Sequence, residues 1–85
     1  MIDARLDGGD DAQAGSFDGR LLHLICPRAL APGQPAQIRV LLDPVVELGA
    51  RSQGSKKRED GSFDVRFRLV NLTRVHRDAL TDALG

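Results

Sequence analysis

Apolar and polar residues alternate in several short segments of this chain, and that period-two pattern is typical of β-strands that bury one face. The clearest segment is residues 62–70, in which one face carries Phe63, Val65, Phe67 and Leu69. Similar runs predict further strands over residues 2–6, 17–26, 36–42 and 45–51. Strands of this kind must pair and curl until their apolar faces meet, so the pattern predicts a mainly β fold.

Glycine, proline and polar runs separate these strands. Residues 8–16 begin with Gly-Gly-Asp-Asp and are predicted to form a turn or flexible loop. Pro27 ends the second strand, and the two prolines and one glycine of residues 26–33 predict an irregular connection. Asp43-Pro44 indicates a turn. Residues 52–62 are polar throughout and are predicted to form an exposed hairpin loop.

The period changes near the C-terminus, where apolar residues recur every three to four positions. This spacing predicts an amphipathic helix after Thr73, whose hydroxyl can cap the first turn. Its stripe comprises Val75, His76, Ala79, Leu80, Ala83 and Leu84. We therefore expect residues 1–85 to form a single domain, a small antiparallel β-barrel of about five to six strands with one C-terminal α-helix covering an open end or face.

Composition narrows the function classes. The 12 basic residues are balanced by 12 acidic ones, so the basic excess of a DNA- or RNA-binding protein is absent. No segment approaches the roughly 18 apolar residues of a membrane span, and the acidic, glycine-broken N-terminus does not resemble a signal peptide. Cys26 is the one cysteine, which excludes an internal disulfide and favours a reducing cytoplasm.

No combination of residues indicates catalysis or a metal centre. Cys26 with His23 and His76 does not supply four zinc ligands. There is no nucleophile–base–acid set and no phosphate-binding glycine loop, so we predict a protein that is not an enzyme. His23 and His76 are interpreted as packed structural histidines, and Cys26 as a small buried hydrophobe, with a reactive thiol near Arg28 as its alternative.

From Ala4 to Leu84 the chain resembles a PilZ domain, the bacterial module that binds cyclic di-GMP. Residues 65–84, VRFRLVNLTRVHRDALTDAL, are similar to the last strand and helix of that family. The segment APGQ at residues 31–34, followed by the strand AQIRVLL, is similar to the loop between its second and third strands. The resemblance implies a β-barrel that acts in bacterial signalling, in the control of motility, type IV pili, biofilm or exopolysaccharide.

The nucleotide motifs of that family are missing from this chain. PilZ receptors carry Arg-x-x-x-Arg before the first strand, whereas here Arg5 lies inside it. They also carry Asp/Asn-x-Ser-x-x-Gly after the second, and the matching positions are Leu24, Cys26 and Ala29. A shift by one residue places His23 at the acidic position and restores no carboxylate. We therefore expect no cofactor, and no cyclic di-GMP binding at micromolar concentration.

Three surfaces are candidates for contact with another protein or with a second copy of the chain. The first is the apolar loop of residues 26–33, with Arg28 and Leu30 at its centre; its alternative is that Ile25 and Leu30 fold inward as core. The second is the outward face with Asp64, Arg66 and Arg68, whose alternative is a set of cross-strand salt bridges with Glu47. The third is the terminal helix, but its apolar stripe must cover the barrel, so its exposed side is mostly charged: Arg74, Arg77, Asp78 and Asp82. The basic run at residues 56–58 is interpreted as a solvated loop tip, because two acidic residues follow it.

These observations favour a non-enzymatic adaptor domain that acts through protein–protein contacts and has lost the cyclic di-GMP site. An alternative is a cyclic di-GMP receptor that uses non-standard residues such as Arg28. A weaker alternative is a small β-barrel that binds nucleic acid. It is disfavoured because Phe63 and Phe67 are predicted to face inward, which leaves no aromatic platform for bases.

Overall fold

Six strands close into an antiparallel barrel, and one helix follows them. The computed structural model describes residues 1–85. The strands are β1 (Ile2–Leu6), β2 (Asp11–Phe17), β3 (Leu21–Cys26), β4 (Pro35–Val40), β5 (Val46–Lys57) and β6 (Phe63–Val70), and the helix is α1 (Arg74–Leu84). Around the barrel the order is β1-β2-β3-β6-β5-β4, and β4 returns to β1. The predicted fold class is confirmed.

The inward side chains follow the period-two pattern of the sequence. Alternate residues of every strand are buried, and 18 buried residues form one continuous hydrophobic cluster. Phe67 is fully buried, with 0% of its surface exposed, and lies between Leu22 of β3 and Ser52 of β5 in the strand register. Because every strand pairs on both sides, the side chains of all six strands meet in a single core.

The prediction of a loop over residues 8–16 was wrong for most of that segment. Residues 11–17 form β2, which pairs with both β1 and β3. Its inward residues include Ala12 and Ala14, whose small side chains give little hydrophobic signal although both are buried. The predicted strand over residues 17–26 is divided by a turn, in which the carboxylate of Asp18 accepts the backbone N–H groups of Arg20 at 2.8 Å and Leu21 at 2.7 Å.

The prediction of a long exposed loop over residues 52–62 was also wrong. The fifth strand continues to Lys57, and the register shifts between Ser52 and Ser55 in a β-bulge. Ser52 is a polar residue at a buried, inward position. Its Oγ accepts the N–H of Gly54 at 3.0 Å, so the buried hydroxyl has a hydrogen-bond partner. The remaining turn spans residues 58–62 and includes Gly61 with a φ of 88°.

Helix α1 begins as predicted, with Thr73 as its N-cap. The Thr73 hydroxyl accepts the N–H of His76 at 3.2 Å. Leu80 is fully buried and belongs to the core cluster, whereas Val75 is 76% exposed, so its predicted place in the buried stripe was wrong. The helix contacts mainly β2. With 11 residues, α1 is too short to be a candidate membrane span.

Candidate functional site

The positions that match the nucleotide motif present no polar side chain to solvent. Leu24 and Cys26 point inward from β3 and are buried, and Ala29 is an exposed alanine in the following loop. Burial raises the pKa of the Cys26 thiol to about 11, with a smaller contribution from Asp10. A thiol with so high a pKa stays protonated at neutral pH, which opposes the alternative reading of Cys26 as a reactive nucleophile.

The outward residues of β3 are a half-buried set that includes His23 and Ile25. His23 lies opposite Arg66 of β6 and Ser16 of β2 in the strand register. Its Nε2 is 2.8 Å from Oδ1 of Asp64, and a carboxylate only accepts, so Nε2 carries the proton of this bond. The histidine is therefore fixed to the barrel wall by a partner 41 residues away.

Arg58 joins the same carboxylate and completes a polar cluster of His23, Arg58 and Asp64. Its Nη1 donates to Oδ1 of Asp64 at 2.8 Å. The hydrogen bond from Arg58, and then the one from His23, holds the pKa of Asp64 below its usual value. Arg58 was predicted to lie in a solvated loop tip, and that prediction was wrong because the β5–β6 turn folds it back over β6.

Gly15 of β2 makes room for this cluster. A Cβ atom at Gly15 would lie 2.9 Å from Nδ1 of His23, closer than side chains pack. The strand register also shifts between Ala14 and Ser16, so the bulge at Gly15 brings the backbone of β2 against the imidazole. The sequence contains no local signal for this contact.

The loop of residues 27–34 is sealed against β5 and does not present Leu30 to a partner. Leu30 is only 7% exposed, so its predicted role at the centre of a contact surface was wrong. The alternative that Ile25 and Leu30 fold inward holds for Leu30, whereas Ile25 lies half-buried on the outward face of β3. The N–H of Gly33 donates to the carbonyl of Ser52 at 2.7 Å, and the N–H of Ser52 donates to the carbonyl of Gln34 at 2.9 Å. The loop thus covers the edge of β5 beyond the end of β4.

Arg28 is exposed, yet it is engaged in an ion pair. Its Nη2 lies 2.6 Å from Oδ2 of Asp10, which joins the loop to the β1–β2 turn. Arg5 is the arginine closest in sequence to the place where the family carries its Arg-x-x-x-Arg motif. Its Nε lies 3.4 Å from Oδ1 of Asp11. Arg5 and Arg28 are therefore each paired with a carboxylate of the same chain.

The outer surface of β5 and β6 carries three exposed arginines, Arg51, Arg66 and Arg68, which we term the arginine face. Arg68 lies directly opposite Arg51 in the strand register. The predicted alternative of salt bridges with Glu47 was wrong, because Glu47 pairs with Arg39, its neighbour on β4, at 2.9 Å. Arg51 donates one hydrogen bond, from Nη1 to the carbonyl of Gly33 at 3.1 Å.

No carboxylate forms a salt bridge with any member of the arginine face. The acidic groups on the neighbouring strands are engaged elsewhere: Asp64 binds His23 and Arg58, and Glu47 binds Arg39. Asp18 in the β2–β3 turn accepts backbone N–H groups, which lowers its pKa. The chain is neutral overall, but this side of the barrel carries uncompensated positive charge.

A surface groove borders the arginine face where β5 and β6 meet the start of α1. It has a volume of about 450 Å³, and its lining includes Arg51, Gly49, Val70 and His76, with Glu47, the partner of Arg39, at the side of β4. Val70 is 43% exposed and lies opposite Gly49, which has no side chain to cover it. The guanidinium of Arg51 and the exposed side chain of Val70 thus line the same groove.

No family model matches the chain, and no curated protein or solved structure matches it. No group of three or more His, Cys, Asp or Glu side chains is placed to hold a metal ion. The function is therefore inferred from the contacts described above together with the resemblance of the sequence.

Proposed function

We propose that this chain is a non-enzymatic adaptor domain, similar to PilZ domains, which acts by protein–protein contacts in bacterial motility, pilus, biofilm or exopolysaccharide control and has lost the cyclic di-GMP site. The observation that carries this proposal is the engagement of the would-be ligand positions within the fold itself. Leu24 and Cys26 are part of the core, and Arg28 is paired with Asp10.

A cyclic dinucleotide requires free hydrogen-bond donors for its phosphates and its guanine edges. His23 and Arg28 are the polar residues nearest to the lost motif, and the chain's own carboxylates hold both of them. Binding would have to break these contacts before it formed new ones. That exchange makes binding weaker, which supports loss of the nucleotide site.

The closed barrel also supports recognition through side chains. Every strand pairs on both sides, and the loop of residues 27–34 pairs with β5 at Ser52, so no strand offers a partner peptide an edge that is unpaired along its whole length. A partner must therefore bind the outer surface of the barrel or its helix.

Isothermal titration calorimetry with cyclic di-GMP tests the proposal. Each charge-assisted hydrogen bond contributes about 1.5–3 kcal/mol, and each 1.4 kcal/mol is about tenfold in affinity. Loss of several such bonds predicts no saturable binding at micromolar ligand. Saturable micromolar binding would overturn the proposal. If Arg28→Ala then abolished that binding, the receptor that uses non-standard residues would replace the adaptor.

A further inference from the structure

We infer that the arginine face, Arg51, Arg66 and Arg68, is the docking surface of this adaptor and that it receives an extended acidic segment of a partner protein. This inference rests on the proposed function, because it names the surface and the partner chemistry of the same adaptor. In this partner segment Asp or Glu recurs at alternate positions, so that its carboxylates lie on one face of the extended chain.

The first support is energetic. Arg51 and Arg68 are directly opposite one another on adjacent antiparallel strands, and like charges in that position destabilise a sheet. No carboxylate of the chain pairs with either of them. The fold gains no ion pair from this placement, whereas the exposed pairs Arg5–Asp11 and Arg39–Glu47 have opposite charges side by side. The two arginines are therefore arranged for an anion outside the chain.

The second support is spacing. Arg66 and Arg68 are two residues apart on one strand, which places their side chains roughly 7 Å apart on the same face. Alternate side chains of an extended peptide have the same separation. Arg51 widens the site across the strand, and its hydrogen bond to Gly33 leaves the other N–H groups of its guanidinium free to donate. A planar guanidinium matches a carboxylate in a bidentate arrangement.

The third support distinguishes a protein from a nucleic acid. Stacking of bases requires exposed aromatic rings, but the chain has no Trp or Tyr, Phe17 and Phe67 are buried, and Phe63 is partly buried against the core. The zero net charge gives no long-range attraction to a polyphosphate backbone. The groove beside Arg51 exposes Val70 and thus suits an aliphatic side chain next to the carboxylates.

Fluorescence anisotropy of a short labelled peptide in which Glu alternates with Thr tests the inference on the full chain. We expect saturable binding that weakens as salt is raised, and none to the matched peptide with Gln in place of Glu. The double variant Arg66→Gln/Arg68→Gln should lose about tenfold or more in affinity. The control Arg74→Gln/Arg77→Gln removes the same charge from exposed, unpaired positions of α1 and should change affinity less than about twofold.

Thermal unfolding provides a second readout. Arg68→Gln removes the repulsion with Arg51, so the Tm of the free domain should rise. The Tm of the Arg74→Gln control should rise less. A loss of affinity in Arg66→Gln/Arg68→Gln together with a Tm at or above that of the unmodified chain supports a docking role. A marked fall in Tm for Arg68→Gln would show that the face is structural and overturn the inference.

The remaining outcomes separate the two proposals. Equal loss of peptide affinity in both double variants, or no binding by the unmodified chain, overturns the docking surface and leaves the adaptor standing. Micromolar binding of cyclic di-GMP that is lost in Arg66→Gln/Arg68→Gln overturns both. A dimer in sedimentation analysis that dissociates in this variant shows that a second copy occupies the face, and it overturns the acidic partner.

Discussion

The hydroxyl of Ser55 binds both backbone polar groups of Leu30. Its Oγ accepts the N–H of Leu30 at 2.7 Å and donates to the carbonyl of Leu30 at 2.7 Å. This reciprocal pair attaches the loop of residues 27–34 to the end of β5 and inserts the Leu30 side chain into the core. The loop itself stays at the surface, with residues 27–29 and 31–34 exposed, but its one large aliphatic side chain, Leu30, is thereby buried.

Ser55→Ala should destabilise the domain by about 1–3 kcal/mol, because it leaves the N–H of the buried Leu30 without a partner and its carbonyl with only the long bond from Ser52 Oγ at 3.4 Å. Urea unfolding measures the change. Ser16→Ala is the matched control, since Ser16 is exposed on β2, and its effect should stay within roughly 0.5 kcal/mol. An equal, small effect of both substitutions would contradict the role of Ser55.

Gly15→Ala should destabilise the domain by about 1–3 kcal/mol, because the new methyl group would lie 2.9 Å from Nδ1 of an imidazole held by Asp64. The effect should nearly vanish in a His23→Ala background, where the space is empty. A double-mutant cycle by urea unfolding measures this coupling. Additive effects of the two substitutions would show that the contact with His23 does not restrict the size of the side chain at residue 15.

The stability of the domain should depend on Asp64 in a pH-dependent manner. Its pKa is lowered in the folded chain by Arg58 and then His23, so the ionised form stabilises the fold above the unfolded-state pKa of about 3.9, and that contribution is lost as the pH falls through the lower folded-state value. Asp64→Asn should therefore lower the Tm at pH 7 and converge with the unmodified chain in strong acid. Asp82→Asn, at an exposed site on α1 without an ion pair, should have little effect on Tm at either pH.

Phe67→Ala should cost about 3–5 kcal/mol, a large share of the 5–15 kcal/mol that stabilises a typical domain. The side chain is fully buried at the centre of the barrel. Phe63→Ala is the matched control: Phe63 lies on the same face of β6 but is only partly buried at the hairpin end, so its replacement should cost clearly less. Similar costs would show that the two sites do not differ in burial as described.

Sequence alone determined the parts of the fold that large apolar side chains encode. The alternation at Phe63, Val65 and Phe67 identified β6 and its inward face, and Thr73 identified the start of α1. These features are visible because a buried aromatic or β-branched residue, or a hydroxyl at a helix start, has the same physical role in almost any context.

Tertiary structure decided which weakly hydrophobic segments join the barrel. Ala12 and Ala14 of β2 and Ser52 of β5 are buried, although neither a methyl group nor a hydroxyl signals burial on its own. They face inward because their neighbours β1, β3, β4 and β6 supply the backbone hydrogen bonds, and because the loop of residues 27–34 completes the pairing of β5. Cooperative pairing overrode local propensity there.

Strand register also decided the candidate site. His23 meets Asp64 across 41 residues of sequence, and Arg68 meets Arg51 on another strand. The sequence shows the charges but not which of them are neighbours, because a shift of one residue in register would turn every side chain to the other face. Only the closed barrel shows that Glu47 is paired with Arg39, and that Arg51, Arg66 and Arg68 share a surface on which none of them pairs with a carboxylate, since that pattern follows from strand order rather than from composition.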